Sequence, residues 1–291
     1  MPAADPWAVL AAAPLPPTPA SAERAADALT RLMAVVAAMP LKVSATWQRT
    51  TAALAASGAA CAAVTRAGNR IAQWIDHHAP QADRHGYHNR QHVCEVMLAA
   101  AFLGRLHGLP VPQLQLLLLA ALVHDLDHPG QPQRHFVAER RALVQCQPFL
   151  AGAQVPAADQ QRLATLVLAT EPHEGVPHAL ACQAAVGSRP APPAPAHAPE
   201  LQQLQQDSSL ARLACLLCEA DILPSVGLTP AYALSLHARL AAEWGRPLAP
   251  SDKLQFVERT LAQGTVGSFF TPNVQRLQQL LRAPLDRHAL A

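Results

Sequence analysis

The residues with the clearest capacity for chemistry are His124 and Asp125. They follow an almost wholly apolar run, Gln113 to Val123, whose only polar members are Gln113 and Gln115. A run of that length without glycine or proline reads as a buried helix, and Pro129-Gly130 stops it. Burying an imidazole and a carboxylate on a core helix costs free energy unless something pairs with them. A divalent cation is a suitable partner, because both side chains ligate one well. The alternative is an exposed helix end that is merely polar. A second pair, His88 and His92, stands at i and i+4, so both share one face of a helix that starts near Tyr87. Val93, Val96, Met97, Ala100 and Leu103 continue an apolar stripe, which turns that helix toward the core and projects two imidazoles inward. Asp221 sits near the apolar end of a long helix, Leu201 to Ile222. It needs a partner there, or a turn at Leu223-Pro224 that returns it to solvent. His92, His124, Asp125 and Asp221 thus come from three helices, and such a mixed set fits a hard or borderline divalent ion in the core of a bundle. His77, His78 and His85 lie among polar, turn-prone residues and read as solvent-exposed.

The elements that must hold these residues follow from composition and breakers. The chain has 291 residues, 4% aromatic and 14% charged, with a formal charge of +2. Alanine-rich sequence with few aromatic residues favours packed helices over a β-sandwich, so the expected fold is all-α, a multi-helix bundle. Residues 1–20 are Ala/Pro-rich and read as a disordered tail. Residues 21–66 read as an N-terminal helical segment suited to packing or dimerisation, and 67–291 as the domain that carries the site. Within it, 187–199 reads as a flexible surface insert. Further helices are expected from Pro156 to Thr170, Ala231 to Trp244, Ser251 to Leu261 and Asn273 to Leu281. Gly264 to Phe270 reads as a turn with two exposed aromatic rings.

Several function classes are disfavoured. No Lys/Arg cluster offers a face for nucleic acid. The N-terminus lacks the basic start of a signal peptide, and no stretch of about 18 consecutive apolar residues offers a membrane span; a cytoplasmic protein is expected. Six cysteines form no dense framework, and Cys215-x-x-Cys218 reads as reduced core cysteine.

The H…HD…D order resembles that of HD-domain metal phosphohydrolases. Tyr87-His88-Asn89-x-x-His92, the run Ala121 to Gly130 and Ala220-Asp221-Ile222 look like the signatures of class I 3′,5′-cyclic nucleotide phosphodiesterases, over roughly residues 70–282. The resemblance implies an HD/PDEase-like helical bundle with two divalent ions. His92, His124, Asp125 and Asp221 would hold a tightly bound, zinc-like ion. Asp125 would bridge to a second, magnesium or manganese. Metal-bound hydroxide would be the nucleophile on a small phosphoester or nucleotide, and His88 the general acid that protonates the leaving oxygen. His128, Glu139 and Thr170 would orient water and ligands. A glutamine and a stacking phenylalanine hold the base in that family; here Gln263 with Phe269 or Phe270 is the nearest match, at a different spacing. Glu171 stands where an aspartate is usual, 188–199 is not shared, and no Gly-Tyr-Pro motif is present.

Three functions fit these residues: a cyclic nucleotide phosphodiesterase-like enzyme, an HD-domain phosphohydrolase for another nucleotide or phosphate ester, and a non-catalytic helical protein that keeps the metal for stability or sensing.

Overall fold

A computed structural model describes residues 5–10, 15–55, 60–187 and 190–289. Among them the secondary structure is helical throughout. After a short 3₁₀ turn at Pro6–Leu10, the chain forms α1 (Pro19–Ala37), α2 (Lys42–Ala55), α3 (Ala62–His77), the single turn α4 (Ala79–Ala82), α5 (Arg90–Leu106) and α6 (Val111–Val123). It continues through α7 (Val137–Gly152), α8 (Ala157–Leu168), α9 (Gly175–Ala185) and the single turn α10 (Gln203–Gln206). The last elements are α11 (Ser208–Val226), α12 (Pro230–Glu243), α13 (Pro250–Gln263) and α14 (Thr271–Ala289).

The centre is a three-helix layer in which α5 packs along both α11 and α6. These are the helices whose apolar residues run all round instead of along one stripe. Every residue of α6 from Leu114 to Val123 is buried, as is every residue of α5 from His92 to Gly104. Helices α2 and α3 cover one side of this layer, α8 and α9 another, and α12 lies against α11. Helix α13 pairs with α14, which returns to α1. One contiguous buried cluster joins the N-terminal helices to the rest.

Side-chain caps fix where the site helices begin. Asn89 accepts hydrogen bonds from the backbone of Gln91 at 2.9 Å and His92 at 3.3 Å, so Asn89 is the N-cap and α5 starts at Arg90, two residues after His88. Asp207 caps α11 through the Leu210 backbone at 3.0 Å. Buried Asp76 accepts from the backbones of Val43 and Ser44 and pairs with Arg90, tying α2 and α3 to the start of α5.

Some expectations from sequence need correcting. The Ala/Pro-rich tail holds a 3₁₀ turn whose Leu10 is buried against α1 and α5, because the turn gives that leucine an apolar surface to cover. Residues 1–4 and 11–14 of that tail lie outside the described residues, as do 188 and 189 of the insert. The rest of the insert is extended and docked: Ala198 is buried and the His197 carbonyl accepts from Arg140 at 2.7 Å. Phe269 and Phe270 are not exposed. They pack on each other and on Phe102 in the core, with Phe270 fully buried. Helix α11 does not end at Leu223-Pro224 but runs on to Val226. No single described helix is long and apolar enough to cross a membrane.

Candidate metal centre and its cavity

The three central helices bring four side chains to one point. Nε2 of His92 on α5 lies 3.1 Å from Oδ2 of Asp125 and 3.2 Å from Oδ1 of Asp221 on α11. Nε2 of His124, at the end of α6, lies 3.3 and 3.5 Å from the same two oxygens. All four ligand atoms fall within 4.8 Å of one another. Ligands about 2.1 Å from a shared ion lie about 3.4 Å apart in a tetrahedron and about 3.0 Å apart at cis octahedral positions. The observed separations span that range.

The donor set also behaves as one built for a cation. Both Nε2 atoms are buried and lack the angle that a hydrogen bond to the carboxylates requires, so protein groups alone leave them unsatisfied. His124 donates from Nδ1 to the Ala121 carbonyl at 3.0 Å, which leaves Nε2 as a lone pair. Burial opposes charge on both imidazoles, yet Asp125 and Asp221 outweigh it. They hold His92 up at about 9 and His124 well above its usual value. The two carboxylates stay well below the usual range, because the two histidines outweigh their own burial. The imidazoles are 1% exposed, whereas the Asp125 and Asp221 side chains are 19% and 27% exposed. The centre is therefore closed on the histidine side and open on the carboxylate side. That openness is the property that separates a catalytic metal site from a structural one.

The turn after Asp125 aims the next group. Asp127 and Gly130 both take positive φ, 59° and 73°, and a Cβ at residue 130 would meet the His85 ring at 2.1 Å. The tight return stacks His128 on His88 with ring centroids 3.8 Å apart. Burial pushes His128 down to about 4, so it is neutral at pH 7. Packing of Gly130 against His85 also makes that residue half-buried, unlike exposed His77 and His78.

His88 itself is gripped from α12. Its Nδ1 lies 2.6 Å from Oε1 of Glu243, whose Oε2 accepts from the backbones of Tyr87 and His88 at 2.7 and 2.8 Å. Burial alone would raise the Glu243 carboxyl. The bonds from His88 and the two backbone groups win and hold it at about 2. With Nδ1 engaged, Nε2 is the nitrogen left for the cavity.

These groups line one cavity of about 500 Å³. His88, His128, Asp125, Asp221, Glu139 and Thr170 share its wall. Burial, with Asp125 and Glu171 adding to it, pushes Glu139 up to about 7. The Thr170 hydroxyl donates to the Val167 carbonyl at 2.8 Å, so it shapes the wall but its proton is committed. The base-holding trio expected from sequence does not line the cavity. Gln263 is exposed at the end of α13, and Phe269 and Phe270 are core residues. Sequence reasoning missed Glu243, Trp244 and Lys253, which do their work from α12 and α13. Glu243 ends an amphipathic helix and is 155 residues from His88; nothing in its spacing marks it.

Neither a protein-family model nor a curated protein matches this sequence. Solved structures do match. LmjPDEB1 in complex with IBMX has a TM-score of 0.61 at 15% identity, over 84% of this chain and 88% of that one. The phosphodiesterase domain of the RhoPDE fusion protein from the choanoflagellate Salpingoeca rosetta gives 0.55 at 15% identity, over 99% and 98%. The phosphodiesterase domain of the Salpingoeca rosetta rhodopsin phosphodiesterase gives 0.53 at 15% identity, over 76% and 82%. The fold is that of a phosphodiesterase domain. At this identity the likeness is one of architecture, and the chemistry must be argued from the side chains.

Proposed function

We propose that this protein is a metal-dependent phosphodiesterase. The observation that carries the reading is the open four-ligand cluster and the His88–Glu243 pair on the wall of one cavity. His92, His124, Asp125 and Asp221 would hold a tight, zinc-like ion, and Asp125 would also serve a second divalent ion such as magnesium or manganese. A divalent ion held there supplies Lewis acidity, polarising a phosphoryl oxygen and lowering the pKa of water.

The chain's own residues supply the rest. Glu243 fixes the ring through Nδ1. His88 can then give the Nε2 proton to the departing oxygen, keeping its other proton on Nδ1 toward Glu243. Neutral His128, stacked on the ring, holds its plane without adding a competing charge. Glu139, raised toward neutrality, can exchange a proton with water in the cavity.

A 3′,5′-cyclic nucleotide is the first substrate to test. The fold supports it, and so does the neighbour bound to IBMX. A second reading, hydrolysis of another nucleotide or phosphate ester, is favoured by one observation: Gln263, Phe269 and Phe270 do not line the cavity.

The test is a turnover screen of zinc- and manganese-loaded protein with cAMP, cGMP, nucleoside monophosphates and bis-p-nitrophenyl phosphate, with metal content measured alongside. Turnover of a diester is expected. His88→Gln should keep the metal and slow turnover about 10²- to 10⁴-fold. Metal-replete protein that cleaves no phosphoester would leave only a metal-binding helical protein.

A further inference from the structure

The chain contains only two lysines, Lys42 and Lys253, among 22 Lys and Arg residues. Lys42 begins α2, where its ammonium caps the preceding helix at the Ala37 carbonyl. Lys253 is 4% exposed and lines the cavity that holds the metal cluster. Its Nζ donates to the Ser225 carbonyl at 2.7 Å, and no carboxylate among the described residues lies within 4.0 Å of it. Burial pushes it down to about 8. Ser225 lies in the last turn of α11, so its carbonyl lacks a helical partner and one ammonium N–H serves as its cap. An ammonium has three donors, and capping accounts for one.

Further cationic side chains line the same cavity. Arg246 stacks on Trp244 and Arg259 on Phe256, and all four residues line the cavity. His237 adds a buried Nε2 with no hydrogen-bond partner on the same wall. The one carboxylate there, Asp252, caps α13 by accepting from the Ala249 backbone. Asp125, Asp221 and Glu139 line the same cavity. The cavity is thus acidic on the metal side and cationic on the other. Ser225 follows Asp221 by one turn of α11, about 6 Å along the axis, so the lysine cap and the ligand cluster belong to neighbouring turns of one helix.

We propose that Lys253, with Arg246 and Arg259, forms an anion subsite, and that the substrate is a phosphoester carrying a second anionic group, a phosphate or a carboxylate, remote from the bond cleaved; this favours the second reading above, because a 3′,5′-cyclic nucleotide carries no second anion. The inference rests on the phosphoester reading of the metal cluster. Lys253 Nζ also lies over the Phe256 ring, 5.3 Å from its centroid, and a neutral base or alkyl group at that end would leave its buried charge without an anion.

Two measurements test it. The first compares p-nitrophenyl thymidine 5′-phosphate with the same diester carrying a 3′-phosphate, using manganese-loaded protein. The wild type should favour the 3′-phosphate form in kcat/KM by about tenfold or more, the size of one charge-assisted contact. Lys253→Met should bring the ratio close to one, and Lys253→Arg should keep most of it. The second uses metal-free protein labelled selectively at lysine, which has only two side-chain resonances. Inorganic pyrophosphate should shift the Lys253 signal and leave Lys42 unmoved. An unchanged ratio in Lys253→Met, or a Lys253 resonance indifferent to pyrophosphate, would overturn the proposal and leave Lys253 as a helix cap. If neither diester is cleaved, the phosphodiesterase reading falls, and the resonance shift alone decides for or against the subsite.

Discussion

The two walls of the cavity are built by opposite means. The metal wall comes from α5, α6 and α11, helices buried on nearly every side. Packing leaves each ligand little freedom, and the buried imidazole nitrogens that protein groups do not satisfy face the shared point. The facing wall comes from α12 and α13, amphipathic helices with one face in solvent. Its polar groups are held by a few contacts each: Glu243 by three bonds to the Tyr87–His88 segment, Lys253 by one carbonyl and the Phe256 ring. A ligand set must be held within a few tenths of an ångström and needs a rigid core. A substrate wall needs reach and charge, which the edge of the bundle supplies.

The largest expected effect strikes the metal wall. Asp125→Ala should remove the metal, read by elemental analysis, and abolish turnover with it. Retained metal at full stoichiometry would break the assignment of Asp125 as ligand. Next comes the link between the walls. Glu243→Gln should keep the metal yet lower turnover about 10²-fold or more, since it unseats the acid. The carboxyl is held at about 2 against an ordinary 4.5. It therefore stabilises the fold at all pH values above 4.5, and that contribution fades as pH falls toward 2. Acid titrations of wild type and Glu243→Gln, followed by circular dichroism, should converge across that window; parallel curves would mean that the carboxylate adds nothing to folding.

A third change separates wall from core. Phe270→Ala should cost about 3–5 kcal/mol in denaturant midpoint analysis while metal content and KM stay put. A raised KM at unchanged stability would return Phe270 to the substrate. The smallest effect concerns Lys253. Its native value is about 8 against 10.5, so the native state resists protonation. The penalty is whole below pH 8 and is relieved as pH rises to 10.5. Lys253→Met should be more stable than wild type at pH 7 by up to about 3 kcal/mol, with the gap closing toward pH 10.5. A less stable Lys253→Met would show that capping α11 outweighs the burial cost.

Legibility followed the same division. The metal wall could be read from the chain because burial is written locally. A polar residue in an apolar helix announces that it needs a partner, and His92, His124, Asp125 and Asp221 each did so. His88 was singled out by an i, i+4 relation to His92, but α5 begins only at Arg90, so the Glu243 carboxylate and not a shared helix face places it. The facing wall was not. Glu243 ends an alanine-rich helix as any solvated glutamate does, and Lys253 lies in Ser-Asp-Lys-Leu with the look of a helix start. Phe269 and Phe270 beside a glycine resembled an exposed turn, but Phe102, more than 160 positions earlier, folds over them.

By itself, then, the sequence determined an all-α bundle, its three central helices and the four residues able to hold an ion. Those follow from hydrophobic pattern and the cost of burying polar groups, both of which act within a helix. The tertiary structure decided what faces that ion: which carboxylate seats His88, which lysine loses its solvent and which aromatic rings are core. Those outcomes depend on contacts between segments from 28 residues apart, for Lys253 and Ser225, to 167 apart, for Phe102 and Phe269, and no local rule of spacing carries information across such distances.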